Sequence, residues 1–297
     1  MDATRIDPPR RLSFPIANRW GEGEMAALDF GDSSRPFDLV FVHANGFNAL
    51  TYRQLLAPLS GSLRILAPDL RGHGRTRLPT QIADRRGWAD HRDDLLALLD
   101  ALDGPPVVMA GHSMGAVCAL LAAAERPQAV ARLVLLDPVI WPRPLAAAFR
   151  LPLLRLAPRR LSLVAGALRR RATFPDRAAA LKGYQGRGAF RGWPAGMLAD
   201  YVEDGLVDQP DGTVALACAP EWEASNYASQ AHDPWRALDR FEGPVEILKA
   251  EHGSPCFVRE GGARRPNLTV RTVPEAGHFF PMLQPEIARD ALFEAAV

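Results

Sequence analysis

Apolar residues in this chain gather in short unbroken runs, and the stretches between several of these runs repeat apolar positions every third or fourth residue. Six runs stand out, at residues 39–42, 64–67, 106–110, 132–136, 245–249 and 268–273. Short apolar runs bounded by turn residues and alternating with helix-period segments are the pattern of a mostly parallel sheet covered by helices. Between them, residues 88–102 set Leu95, Leu98, Leu99 and Leu102 along one helical stripe beside a charged face. Residues 115–126 form a second helical stretch, rich in Ala and Leu, that stops before Pro127. Residues 13–18 and 25–30 are read as two leading antiparallel strands. Strands alternating with helices predict an α/β fold, a mostly parallel sheet flanked by helices.

The alternation stops between Pro138 and Pro234, where Pro142, Pro144, Pro152, Pro158, Pro175 and Pro194 interrupt helix-like pieces. This stretch is read as a mainly helical cap inserted at residues 139–234, with residues 1–138 and 235–297 forming the core. Its charges are segregated. Arg143 to Arg191 holds twelve Arg or Lys and one acid, Asp176, whereas Asp200 to Asp233 holds eight acids and no Lys or Arg. The two halves are expected to neutralise each other as solvated helix faces, a reading preferred over a lid that meets an anionic membrane surface.

Composition changes this picture little. The 297 residues suit one large α/β domain with an excursion, and 47% hydrophobic against 23% charged residues supplies a sizeable core. With 35 basic and 34 acidic side chains the formal charge is +1, which offers nucleic acid no footprint and favours a small-molecule substrate. Cys118, Cys218 and Cys256 are scattered without metal-ligand spacing and are read as reduced. The polar, proline-containing start lacks a signal-peptide pattern and no apolar run reaches bilayer length, so a cytoplasmic location is expected.

The chemistry centres on Gly111, His112, Ser113, Met114 and Gly115. This Gly-x-Ser-x-Gly turn follows one apolar strand and precedes a helix, which forces the Ser into a strained backbone above the sheet edge. A Ser hydroxyl needs a base within hydrogen-bond reach. Of seven histidines, His278 follows the last clear strand by a short loop that can fold back over that edge, with Gly277 permitting a tight approach.

With these pieces in order, the chain resembles the α/β-hydrolase superfamily over nearly its whole length outside the cap. The matching segments are residues 43–47 (His-Ala-Asn-Gly-Phe), residues 69–74 (Asp-Leu-Arg-Gly-His-Gly), the Ser113 turn, and Gly277 with His278. The resemblance implies Ser113 as nucleophile, His278 as general base, and an oxyanion hole from Met114 N–H and Asn45, with Gly46 as fallback. It gives residues 69–74 an architectural role in which Asp69 and Arg71 pair locally. Most members carry the triad acid just after the strand matching residues 245–249, where this chain has no Asp. A minority carry it at the end of the strand after the elbow helix, where Asp137 stands. Asp137 is therefore the expected acid and Glu251 the alternative.

A carboxylate nucleophile, as in related dehalogenases and epoxide hydrolases, is disfavoured by the Ser. The expectation is a serine hydrolase cleaving an ester or lactone of a small, largely apolar substrate through an acyl-enzyme, with no cofactor and no metal. The rivals are a non-hydrolytic enzyme of the same fold (acyltransferase, lyase or cofactor-free haloperoxidase) and a receptor-like binder. Candidate substrate-lining residues are Trp141, Phe149, Phe174, Phe190, Trp193, Trp222 and Tyr227, although aromatics of such a segment also serve as its own core.

Overall fold

A computed structural model describes residues 8–151, 162–261 and 265–297. Pro152, Pro158 and the basic residues Arg155, Arg159 and Arg160 of the inserted segment lie outside the described residues.

Each expected strand is present: residues 39–42 keep their bounds, and the others are extended at an end or shifted by one. The sheet is built from β1 (Arg10–Asn18), β2 (Gly21–Phe30), β3 (Leu39–Val42), β4 (Ile65–Pro68), β5 (Val107–His112) and β6 (Val130–Leu136). Three short strands follow, β7 (Thr173–Phe174), β8 (Leu206–Asp208) and β9 (Val214–Leu216), and then β10 (Val245–His252) and β11 (Leu268–Gly277) rejoin the main sheet. Its order is β1-β2-β4-β3-β5-β6-β10-β11. The leading hairpin is antiparallel and joins β4 antiparallel, and every later pairing is parallel.

The unbroken apolar runs now have their cause. Leu39 and Phe41 of β3 enter one hydrophobic cluster with the carboxyl-terminal helix Pro285–Ala296, while Val40 and Val42 enter another with the helix Met114–Glu125. β6 divides in the same way, Val134 and Leu136 against Leu133 and Leu135. A strand buried on both faces can spare no polar position.

Between β6 and β10 the chain forms the helices Arg143–Phe149, Ser162–Leu168, Arg177–Tyr184, Ala195–Gly205 and Pro220–Ala228, with β7, β9 and β8 as a small antiparallel sheet. Those three strands are two or three residues long, too short to write an alternating pattern. Arg170–Glu223, Arg177–Asp208 and Arg150–Asp233 pair the basic half with the acidic half. Asp200 and Asp204 instead bind core arginines, Arg53 in the first case and Arg11 with Arg75 in the second. Among the described residues, no helix is long and apolar enough to cross a membrane.

Candidate active site

Parallel strands bring their carboxyl ends to one sheet edge, and four of the expected site residues stand there. Asn45 follows β3, Ser113 follows β5, Asp137 follows β6 and His278 follows β11. Ser113 has φ 56° and ψ −116°, a conformation that a non-glycine residue rarely adopts. The turn holds because its neighbours are small. A Cβ on Gly115 would lie 2.3 Å from the carbonyl oxygens of Val42 and His43, and one on Gly111 would lie 2.7 Å from Ala116 N. Close approach of the helix start to β3 therefore depends on Gly115, and to β5 on Gly111.

His278 bridges the other two. Its Nε2 lies 3.0 Å from Ser113 Oγ and its Nδ1 lies 2.6 Å from Asp137 Oδ2. Asp137 is fully buried, and its Oδ1 accepts from Ala250 N–H at 3.0 Å and from the Ser254 hydroxyl. Burial opposes its ionisation, but the His278 contact together with those two donors outweighs burial and holds the carboxyl below its usual range. An ionised carboxylate only accepts, so Nδ1 carries the imidazole proton and Nε2 faces the Ser113 hydroxyl as an acceptor. Glu251 is not part of this chain: it is half exposed and accepts from Glu275 N–H at 2.7 Å.

Three amides of the loop after β3 have acceptors. Ala44 N–H donates to Tyr52 Oη (3.2 Å), Gly46 N–H to His73 Nε2 (3.1 Å) and Phe47 N–H to Ala44 O (3.2 Å). Asn45 N–H has no acceptor among the described residues, and neither has Met114 N–H at the start of its helix, where the first amides lack intrahelical partners. Gly46, the fallback donor, is thus already engaged.

Three sequence expectations are corrected. Asp69 and Arg71 do not pair: Asp69 accepts from Ala49 and Arg75 N–H, both at 2.8 Å, and Arg71 forms a buried ion pair with Asp94 at 2.6 Å. Each finds partners across the fold that a six-residue motif cannot display. Gly277 is not needed for a close approach, since nothing lies within 4 Å of where its Cβ would be. Trp222 anchors the inserted segment to the core: it is 2% exposed, donates to Arg71 O at 2.8 Å and carries Arg85 over its ring.

The other aromatic candidates separate into groups. Phe190 and Trp193 share a cluster with Phe47 and Phe279, the residue after His278, at centroid separations of 5.1 to 6.3 Å. Phe174 packs behind Tyr184, and Tyr227 packs against Val164, Ala167 and Ala224. Trp141 packs elsewhere, against Phe149 and Phe257. Two surface clefts, of about 530 and 720 Å³, have neither Ser113 nor His278 in their walls.

Sequence reasoning passed over the histidines behind the site. His112 Nε2 lies 2.9 Å from His278 O, and its Nδ1 lies 2.8 Å from Tyr52 Oη. Burial keeps His112 neutral, with its pKa pushed down to about 3. It therefore ties the His278 backbone to the β3 loop through Tyr52. His73 acts alike on Gly46. Only their position next to glycine motifs hinted at this. Among the described residues, no group of three or more His, Cys, Asp or Glu is placed to hold a metal ion.

Comparison with known proteins agrees with this architecture. The chain is 33% identical over 99 residues to an uncharacterised protein of Mycobacterium tuberculosis, a match covering 33% of this chain and only 28% of that relative's length. It is 26% identical over 261 residues to 2-(acetamidomethylene)succinate hydrolase of Mesorhizobium japonicum, covering 86% of both chains. The crystal structure of an E-2-(acetamidomethylene)succinate hydrolase shares the fold, with TM-score 0.75 and 24% identity over 96% of this chain and 98% of that one. The sequence pattern of the alpha/beta hydrolase family matches residues 39–291. The chain belongs to the alpha/beta hydrolase family.

Proposed function

We propose that the protein is a serine hydrolase that cleaves a carboxylic ester or lactone of a small, largely apolar substrate through an acyl-enzyme. The observation that carries the reading is the chain Asp137–His278–Ser113, with both imidazole nitrogens within hydrogen-bond distance of their partners. His278 Nε2 takes the Ser113 proton as Oγ attacks the carbonyl carbon. Asp137 holds the Nδ1–H tautomer and stabilises the imidazolium. The carbonyl oxygen, now an oxyanion, accepts from Met114 and Asn45 N–H, neither of which has an acceptor among the described residues. Imidazolium returns the proton to the departing alkoxide, leaving acyl-Ser113. Water then attacks with His278 again as base, and the acid leaves. Phe47, Phe190, Trp193 and Phe279 offer an apolar wall beside this centre, and the inserted segment that supplies two of them acts as the specificity cap.

A short-chain chromogenic ester and a serine-reactive phosphonate test the proposal. Turnover should be abolished by one equivalent of phosphonate attached at Ser113, and Ser113→Ala should lose about 10⁶-fold in kcat with its melting temperature retained. Labelling without turnover of esters, lactones, thioesters or amides would favour a binder. Turnover by Ser113→Ala above about a hundredth of wild type would place the nucleophile elsewhere.

A further inference from the structure

We infer that Asn226, which lies in the inserted segment, is a positioning residue for the oxyanion-binding loop: its side chain locks that of Asn45 so that the Asn45 N–H stays free and aimed. The inference rests on the reading of Ser113 as an acyl nucleophile.

The hydrogen bonds allow one arrangement. Asn226 is fully buried on the helix Pro220–Ala228. Its Oδ1 lies 2.6 Å from Arg85 Nη1 and 3.1 Å from His91 Nε2. Arg85 can only donate, so this atom is the amide oxygen and not the nitrogen. The nitrogen must then face Asn45, and Nδ2 donates to Asn45 Oδ1 at 2.7 Å. That contact fixes the second amide in turn. Asn45 Nδ2 donates to the carbonyl of Glu223, one turn earlier on the same helix, at 3.1 Å. Both ends of the Asn45 side chain are thus held by one helix of the inserted segment.

Asn226 is itself held from the core. Its carbonyl accepts from Trp88 Nε1 at 3.0 Å, and Arg85 is bound by Asp90 in an ion pair whose side chains are about 5% exposed. On the loop's other side, His73 takes the Gly46 N–H and Tyr52 the Ala44 N–H. Between them, the Asn45 N–H has no acceptor among the described residues. A donor fixed before the reaction stabilises a developing oxyanion without reorganising, whereas a displacement of about 1 Å costs on the order of 100-fold in rate. The insertion therefore sets the geometry of the loop as well as covering it.

The decisive variant is Asn226→Asp. It keeps the volume and an oxygen for Arg85 and His91, yet it turns a second acceptor toward Asn45 Oδ1. Expected results are a kcat lower by about 10- to 100-fold, KM within a few-fold of wild type, and an equally slowed rate of phosphonate labelling at Ser113. The same substitution made in Asn45→Ala should reduce kcat little further, because a residue acting only through Asn45 has nothing left to act on. If Asn226→Asp, folded as judged by its melting curve, labels and turns over at the wild-type rate, the positioning role is overturned and the reading of Ser113 stands. If it misfolds, Asn226→Ala and Asn226→Ser, whichever folds, must show the same split between kcat and KM, and a loss confined to KM would overturn the role. Absence of labelling in the wild-type protein would overturn both.

Discussion

The sheet and the seam where the inserted segment meets it are held together by different means. Inside the sheet, strands such as β3 and β6 bury unbroken apolar runs on both faces, and many pairings of similar residues would serve. At the seam, directional contacts are added to apolar ones such as Phe47 on Phe190 and Trp193. Trp222 donates to Arg71 O, Trp88 to Asn226 O, Asn48 to Tyr201 O and Asn226 to Asn45. Burial without direction sets a shape, whereas a buried hydrogen bond with one permitted orientation sets the position of a particular atom. The residues of the proposed site are oriented by the second kind of contact and carried by the first.

The sharpest way to break this distinction is at the sheet edge, where Asp137 orients His278 by one hydrogen bond. Asp137→Asn should lower kcat about ten-thousandfold because the amide favours the wrong imidazole tautomer. Glu251→Gln, remote from His278, should change kcat little. The reverse ranking, measured by steady-state kinetics on folded variants, would move the acid to Glu251.

Stability separates the two regions next. Leu135→Ala in β6 removes fully buried apolar volume and should cost about 2–5 kcal/mol in urea unfolding. Trp222→Phe keeps an aromatic ring but removes one of the two donors to the Arg71 carbonyl, the other being His73 Nδ1, for about 0.5–1.5 kcal/mol. An unchanged unfolding midpoint for Trp222→Phe would mean that packing alone holds the seam.

Acid should act on the polar side of the comparison. Burial pushes His43 and His91 down to about 4 and His112 to about 3, and it holds His73 well below the ordinary value. Their unfolded counterparts bind protons below about pH 6.5. The unfolded state thus takes up more protons between about pH 6.5 and 4, and stability present above that window is lost as pH falls through it. Asp69, pushed up to about 7 by burial, works in the opposite sense, as do Asp94 and Asp200, whose carboxyls burial also raises. The charged form of each buried imidazole would disrupt a specific contact, such as Gly46 N–H on His73. Unfolding free energies measured from pH 7 to 4 should therefore decline, and a flat or rising profile would show that the carboxyls dominate.

Local pattern was enough to read the main strands, two of the three longest core helices and the strand-turn-helix context of Ser113. Those signals depend on neighbours in the chain: an apolar run tells of burial on both faces, and glycines two residues either side tell of a tight turn. It was also enough to single out His278, from its loop after the last strand. It left the choice between Asp137 and Glu251 open, because both stand at strand ends on the same edge and only the folded chain selects the carboxylate that meets Nδ1, 141 residues away. It could not see that Gly46 N–H is taken by His73 while Asn45 N–H has no acceptor among the described residues. Nor could it see that Trp222 is an anchor, or that Asn226 reaches Asn45 across 181 residues. Hydrophobic burial is nearly non-directional and writes itself into composition and period; a hydrogen bond needs two particular atoms at one distance and angle, and only the tertiary structure supplies the second atom.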